Sequence, residues 1–290
     1  MSHLLIFGFG FTGQATARRM MADGWAVTAV VRTPATADKA RVHGVAPIDT
    51  DDRPALVEAL KTATAILITA PPTETGCPGL NTLIPALAEA NAFPDWIGYL
   101  STTGVYGDRE GRWVFEAGPL SARSVESARR VSAERDWRQI GRGMGLTVTA
   151  FRLPGIYGPG RSALDRVRDG TAHAIVKPGQ MFSRIHVDDI ASGLAASIAR
   201  PRAGASYNLC DDEPAPSHVV NAFAAQLLGK PAPTVTAFDD ADLTPAARRF
   251  WGENKRVSNS LAKAELGWRP AWPTYREGLT AVLARETAAG

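Results

Sequence analysis

The sequence predicts an α/β protein built on a doubly wound parallel β-sheet, followed by a smaller C-terminal region. Short apolar runs alternate with longer stretches of helical spacing through residues 4–153, and this alternation is typical of βα units that form parallel sheets. A glycine-rich turn separates the first predicted strand from the first predicted helix. The 290 residues, 45% of them hydrophobic and 21% charged, are enough to bury a large core.

The predicted elements follow one another along the chain. Leu4–Phe7 is a short apolar run ending at glycines, and Gln14–Asp23 carries apolar residues at helical spacing. Ala26–Val31 is the second strand and completes one βαβ unit. The remaining predicted elements are helix Asp52–Thr62, strand Ala65–Thr69, helix Leu80–Asn91, strand Trp96–Ser101, helix Ala122–Arg142 and strand Leu146–Leu153.

Composition and charge exclude several classes of function. The formal net charge is only +3, and the charges are scattered, which argues against a nucleic-acid partner. Cys77 and Cys210 have no Cys or His at the short spacings of metal sites, so neither a metal centre nor a disulfide framework is expected. The apolar run at the N-terminus is too short for a signal or a membrane span, so we expect a cytoplasmic protein without a membrane partner.

The glycine-rich turn carries the strongest functional signal. Residues 8–13 read GFGFTG, which matches G-x-G-x-x-G between a strand and a helix. In this motif Gly8 permits the tight turn, Gly10 lets the backbone approach a pyrophosphate, and Gly13 lets helix and strand pack closely. Phe11 and Thr12, within the turn, are expected to bind the cofactor with the glycines, and the N-terminus of the helix that follows offers free N–H groups and a positive dipole end to phosphate. The turn therefore predicts a Rossmann unit that binds a nicotinamide dinucleotide.

Arg32 indicates which dinucleotide is preferred. It follows the second strand, where NAD-selective units carry an acid that hydrogen-bonds the ribose 2′-hydroxyl. A guanidinium suits a 2′-phosphate instead. We therefore expect NADP, with NAD as the alternative if Arg32 is an ordinary exposed loop arginine.

Several collinear blocks together resemble one known family. They are GFGFTG, LSTTGVYGD (Leu100–Asp108), FRLPGIYGPGR (Phe151–Arg161), RIHVDDI (Arg184–Ile190), YNLCDDEP (Tyr207–Pro214) and NKRVSNSLAKAELGW (Asn254–Trp268). In these blocks the chain resembles the extended and atypical short-chain dehydrogenase/reductases, the NAD-dependent epimerase/dehydratase superfamily, over essentially its whole length.

The resemblance implies a division of labour along the chain. Residues 1–160 would form the NAD(P)-binding Rossmann domain, and 161–290 the substrate-binding region, with segments near 184–210 returning to the sheet. Ala70 and Pro71 would border the cofactor, and Pro154 and Ile156 would lie in the segment that closes over the nicotinamide. A homodimer is an open expectation.

The chain departs from the family at the catalytic pair. Family members use a Tyr and a Lys four residues later, but no tyrosine here is followed by lysine at that spacing, and no lysine lies between Lys61 and Lys177. By the same resemblance, Thr102 takes the catalytic hydroxyl position, and Glu126 and Arg130 replace the tyrosine and the lysine. An ordinary exposed ion pair of Glu126 with Arg130 is the alternative explanation.

Two functions remain open from the sequence. The first is an NADP-dependent oxidoreductase or epimerase that acts on a sugar-like or nucleotide-linked small molecule through Thr102, Glu126 and Arg130. The second is a catalytically silent NADP-binding protein that reports cofactor state to a partner. His186 and Tyr106 are expected to have structural roles, and the tryptophans Trp251, Trp268 and Trp272 are expected to be buried.

Overall fold

The computed structural model describes residues 2–289, without the side chains at positions 246, 249, 250 and 289. The strands are β1 His3–Phe7, β2 Ala26–Val31, β3 Ala46–Asp49, β4 Ala65–Ile68, β5 Trp96–Thr102, β6 Trp113–Val114, β7 Val148–Leu153, β8 Gly155–Tyr157, β9 Ala174–Val176, β10 Arg184–His186, β11 Ser206–Asn208, β12 Val235–Ala237 and β13 Arg256–Val257. The helices are α1 Phe11–Ala22, α2 Pro34–Val42, α3 Arg53–Thr62, α4 Pro78–Ala90, α5 Val125–Met144, α6 Ala163–Arg168, α7 Val187–Ala199, α8 Ser217–Leu227, α9 Pro245–Phe250, α10 Ser260–Leu266 and α11 Tyr275–Ala289, with a 3₁₀ turn at Thr103–Tyr106.

The central sheet has seven strands in the order β11-β7-β5-β4-β1-β2-β3. Every pairing within it is parallel, and β1 pairs with both β2 and β4. The prediction of an all-parallel sheet with an interior first strand is therefore confirmed. Because its strands lie in parallel order, their carboxyl ends meet at one edge, where α/β proteins bind their ligands.

Helices cover both faces of this sheet. On one face α1 and α7 contribute Met20, Ile190 and Leu194 to a cluster with the strands. On the other face α3, α4 and α5 contribute apolar side chains such as Leu56 and Trp137. The strands are consequently buried on both sides, which explains their continuous apolar runs.

The boundaries of several elements differ from the prediction. Helix α1 begins at Phe11 rather than Gln14, directly after the glycines. Helix α5 begins at Val125 because the side chain of Ser124 accepts a hydrogen bond from the Ser127 N–H and caps it. Helix α2 and strand β3 were not predicted. Helix α2 buries only Ala40, and β3 is a short, partly exposed edge strand, so neither leaves a strong apolar pattern.

The later part of the chain builds on the carboxyl edge of the sheet. Strand β11 joins the sheet beside β7, whereas β10 pairs with β8 in a separate two-stranded sheet. Helices α6, α8 and α11 pack around their own apolar cluster. The division near residue 160 stays a prediction. In residues 2–289 no helix has the length and apolar character needed to cross a membrane.

Candidate active site

The glycine turn has the geometry of a phosphate cradle. Gly8 has φ +93°, and a Cβ there would lie 2.7 Å from Thr69 Oγ1. A Cβ on Gly13 would lie 3.0 Å from the Gly8 carbonyl oxygen, whereas one on Gly10 would project into open space. No side chain caps the N-terminus of α1, and its first turn carries no acid. The uncapped N–H groups beside open space fit the pyrophosphate of a dinucleotide.

A cavity of about 280 Å³, called the cofactor cavity below, lies directly beside this turn. Eight of the residues predicted from the sequence line it: Gly10, Phe11, Thr12, Gly13, Thr102, Arg130, Pro154 and Ile156. Thr69 and Arg161 also line it and were not predicted. Thr69 donates a hydrogen bond to the Gly8 carbonyl oxygen at 3.0 Å. Its place immediately after strand β4 is the signal that could have identified it.

The other predicted cofactor residues lie around the turn. The Ala70 N–H donates to the Phe7 carbonyl oxygen at 3.2 Å, so Ala70 lies against Gly8, while Pro71 is exposed. Neither lines the cavity beside the turn. Arg32 is exposed at the end of β2, next to β1 in the sheet. Its guanidinium makes no ion pair with the described side chains.

Thr102 stands where two cavities meet. It ends β5, and its Oγ1 accepts a hydrogen bond from the Gly104 N–H at 3.1 Å. A hydroxyl that accepts one bond can still donate its own proton. Thr102 and Pro154 line both the cofactor cavity and a second cavity of about 370 Å³, whose polar wall also includes Glu126, Glu253 and Lys255.

Helix α5 directs two predicted residues to these cavities. Arg130 lines the cofactor cavity, and its Nη1 donates to the Leu100 carbonyl oxygen at 2.5 Å and to the Tyr99 hydroxyl at 3.4 Å. Glu126 lies one turn earlier and lines the second cavity with an exposed side chain. The spacing of four residues places both on one face of α5.

Lys255 was missed by the sequence analysis. Its Nζ donates to the Gly107 carbonyl oxygen at 2.9 Å and pairs with Glu253 Oε2 at 2.5 Å. Burial lowers the pKa of Lys255, and the Glu253 carboxylate opposes that shift. The resemblance of the NKRVSNS block indicated a family segment, but nothing in the local sequence indicated that this lysine reaches the wall beside Thr102.

A buried ionic network lies behind the site. Arg152 Nη2 is 2.8 Å from Glu134 Oε2, and the two side chains are 3% and 1% exposed. Ser101 Oγ donates to Glu134 Oε1 at 2.5 Å. Arg152 Nη1 donates to the Tyr106 hydroxyl at 3.0 Å, and that hydroxyl donates to Asn208 Oδ1 at 2.7 Å. Because Ser101 precedes Thr102, the network holds the end of β5 in place.

Tyr106 therefore points into this network and not into either cavity. Burial raises the pKa of its phenol to about 12, which disfavours the phenolate. A tyrosine held in this way is a structural residue.

His186 also has a structural position. Its Nδ1 accepts a hydrogen bond from the Asp188 N–H at 3.2 Å at the start of α7. Its ring packs edge-on against Tyr157 at 5.3 Å and lies 4.1 Å from the Trp272 ring. Burial lowers its pKa to about 4. His186 lines neither the cofactor cavity nor the second cavity.

Two of the three tryptophans are buried as expected from the sequence, whereas Trp272 is only half-buried. Trp268 is 4% exposed, and its Nε1 donates to Ser192 Oγ at 2.9 Å. Trp251 is 8% exposed and packs edge-on against Phe182 at 5.0 Å.

The fold, the glycine cradle and the adjoining cavities define a Rossmann-type dinucleotide-binding protein. The model of the NAD dependent epimerase/dehydratase family matches residues 4–210. The chain therefore belongs to this family, as its sequence blocks indicate.

The relatives cover different parts of the chain. A 3-diazoavenalumate denitrifying reductase from Streptomyces is 28% identical over 173 residues, which are 55% of this chain and 52% of the reductase. The chain thus spans about half the length of this curated relative. A functionally unknown conserved protein from Silicibacter pomeroyi has a solved structure that is 44% identical, with TM-score 0.91 and coverage of 98% of this chain and 99% of the other.

More distant solved structures share the fold. The dTDP-glucose 4,6-dehydratase from Bacillus anthracis, in complex with NAD, is 18% identical with TM-score 0.79, over 99% of this chain and 97% of the other. The UDP-glucose 4-epimerase from Thermus thermophilus, also in complex with NAD, is 21% identical with TM-score 0.76, over 99% of this chain and 100% of the other. At these identities the likeness concerns the fold.

Proposed function

We propose that this protein is an NADP-dependent oxidoreductase or epimerase that acts on a small sugar-like or nucleotide-linked molecule. The observation that carries the proposal is the position of Thr102 at the junction of the cofactor cavity and a second, polar-walled cavity. Family membership and the reductase relative support redox chemistry, and the named activities of the solved relatives support the substrate class.

The residues of the chain have separate tasks in this proposal. A bound nicotinamide accepts or supplies a hydride. Thr102 hydrogen-bonds the oxygen of the substrate carbon that reacts. Arg130 donates to the nicotinamide ribose, a task that needs N–H donors and not a titratable amine. Glu126 accepts the proton when an alcohol is oxidised, and Lys255 provides positive charge beside the substrate oxygen.

The preference for NADP is proposed from Arg32. An exposed guanidinium without an ion pair among the described residues is available for a 2′-phosphate. Such a charge-assisted contact contributes about 1.5 to 3 kcal/mol, or roughly ten- to a hundredfold in affinity. Titration of NADPH and NADH into wild type and Arg32→Ala tests it, with the exposed Arg41→Ala as control. Equal wild-type affinities would refute the preference.

A catalytically silent NADP-binding protein is the second candidate. The observation that favours it is the absence of any Tyr-x-x-x-Lys in the sequence. Tight cofactor binding without hydride transfer to any member of a carbonyl and nucleotide-sugar panel would support this candidate.

Substitution of Glu126 tests the location of the reaction site. Glu126→Gln should lower turnover by about 10² to 10⁴, the range of general acid–base catalysis, while leaving cofactor affinity unchanged. Glu58→Gln, which alters an exposed carboxylate on α3, is the matched control and should leave turnover unchanged. Wild-type turnover that survives Glu126→Gln would move the site away from this helix. A cytoplasmic location and a homodimer stay predictions.

A further inference from the structure

A third cavity, of about 370 Å³, adjoins both parts of the candidate active site. It shares Phe182 and Ser183 with the second cavity and Arg161 with the cofactor cavity. A molecule seated here could therefore extend toward Thr102. The cavity has no role in the function proposed above.

Three guanidinium groups line this third cavity. Arg161 and Arg166 are exposed at its rim, and Arg184 is half-buried on β10. Arg184 Nη1 donates to the Phe182 carbonyl oxygen at 2.8 Å, and Arg166 Nη2 donates to Asn221 Oδ1 at 3.3 Å. Among the described side chains, none of the three arginines has a carboxylate within ion-pair distance.

Two acids, Asp165 and Asp211, lie near these arginines, but neither lines the cavity. Asp165 accepts the N–H and hydroxyl hydrogen bonds of Ser162 in the cap of α6. Asp211 is 1% exposed, and its carboxylate oxygens have no hydrogen-bond partner among the described residues. Burial raises the pKa of Asp211 well above its usual range, although the Arg184 guanidinium opposes this shift. The wall of the cavity carries three guanidinium groups and no carboxylate among the described residues, which favours a positive potential.

Helix α8 adds to this potential independently. Its first residue, Ser217, and its fourth, Val220, both line the cavity. No side chain caps the N-terminus of α8, and its first turn contains no acid. The N–H groups and the positive dipole end of this helix therefore border the same space as the arginines.

Apolar and aromatic side chains form another part of the wall. Trp251, Tyr275 and Leu279 are buried side chains that also line the cavity. A ligand that fills it should therefore combine an anionic group with a compact apolar body.

We propose that this cavity, bounded by Arg161, Arg166, Arg184 and the N-terminal turn of α8, binds a carboxylate or phosphate group of an organic substrate. The anion anchors the substrate, and the remainder of the molecule reaches the reaction site beside Thr102. The placement of the substrate toward Thr102 rests on the proposed redox function. The binding of the anion depends only on the residues that line this cavity.

Direct binding tests the site without any turnover. Benzoate, phenyl phosphate and the neutral benzamide are titrated into the full-length protein by calorimetry, with and without NADPH. We expect at least one of the two anions to bind ten times or more tightly than benzamide, with affinity that falls as salt is raised. The tighter anion shows whether the natural group is a carboxylate or a phosphate. Equal binding of all three, or no binding, would overturn the proposal.

Variants then locate the binding. Arg166→Met and Arg184→Met should each weaken the anion tenfold or more, because each removes a charged hydrogen-bond donor. The exposed Arg41→Met is the matched control and should bind as wild type. Arg166 and Arg184 do not line the cofactor cavity, so NADPH affinity should stay unchanged in both variants.

Ser217→Asp keeps the test decisive if an arginine variant fails to fold. An acid in the first turn favours the helix, so the fold should be retained, but its charge should repel the ligand. Undiminished anion binding in Ser217→Asp and in Arg166→Met would overturn the site. If these residues prove necessary for anion binding but the protein binds no NADP, the proposed function is contradicted, whereas the proposed anion site is supported.

Discussion

Replacing Arg152 by Met should strongly destabilise the protein. The change leaves the Glu134 carboxylate, 1% exposed, with the Ser101 hydroxyl as its remaining hydrogen-bond donor among the described residues, at 2.5 Å. It also removes the donor to the Glu116 carbonyl oxygen, which Arg152 Nη1 contacts at 3.0 Å. Removing one partner of a buried ion pair costs about 3 to 5 kcal/mol, because the other charge stays buried without compensation.

A double-mutant cycle separates the ion pair from simple loss of packing. Glu134→Gln alone should also cost about 3 to 5 kcal/mol, since it leaves the buried Arg152 charge unpaired. In the double variant no charge is left, and the Gln oxygen can still accept the Ser101 hydrogen bond. The free energy of unfolding of the double variant should therefore fall by clearly less than the sum of the two single losses.

Urea unfolding followed by tryptophan fluorescence measures all four proteins. Additive losses, within about 0.5 kcal/mol, would show that the two side chains do not depend on each other. A loss below about 1 kcal/mol for either single variant would refute the energetic argument, because exposed ion pairs have effects of that size. If Arg152→Met fails to fold, Glu134→Gln still provides the single-variant test.

Two further predictions concern the cofactor turn and the start of α7. Gly8→Ala should weaken cofactor binding at least tenfold, because position 8 has φ +93° and the added Cβ would lie 2.7 Å from Thr69 Oγ1. The control is Gly145→Ala, at φ +68° with open space around it, which should bind cofactor normally. For His186, burial holds the folded-state pKa at about 4, below the ordinary 6.5, so the unfolded chain alone takes up the proton between these values. The comparison variant is His186→Asn, which keeps a helix cap. In urea titrations the free energy of unfolding of wild type, relative to this variant, should fall as pH drops from 6.5 to 4, by up to about 1.4 kcal/mol per pH unit. A difference that does not change with pH would contradict this.

Local patterns in the sequence determined the architecture and the cofactor turn. Strands such as Leu4–Phe7 are buried on both faces, so their continuous apolar runs are visible without any knowledge of their neighbours. The spacing of Gly8, Gly10 and Gly13 depends on backbone geometry within six residues. The absence of the family Tyr and Lys pair is likewise a property of the sequence alone.

Elements that form only through contacts with neighbouring elements were harder to predict from the sequence. Strand β3 is short and lies at the edge of the sheet. It is defined by its pairing with β2, because its own residues show no clear apolar pattern. Helix α2 buries one alanine and therefore shows little periodicity. Their existence was decided by tertiary packing.

The chemistry beyond the cofactor turn was decided by the tertiary structure. Lys255 contacts the Gly107 carbonyl oxygen across 148 residues of sequence, and Arg184 and Ser217 meet at one cavity from different elements. No local pattern relates such residues, because their approach depends on how the C-terminal segments fold back over the carboxyl edge of the sheet. The burial that lowers the pKa of Lys255 likewise arises only from that packing.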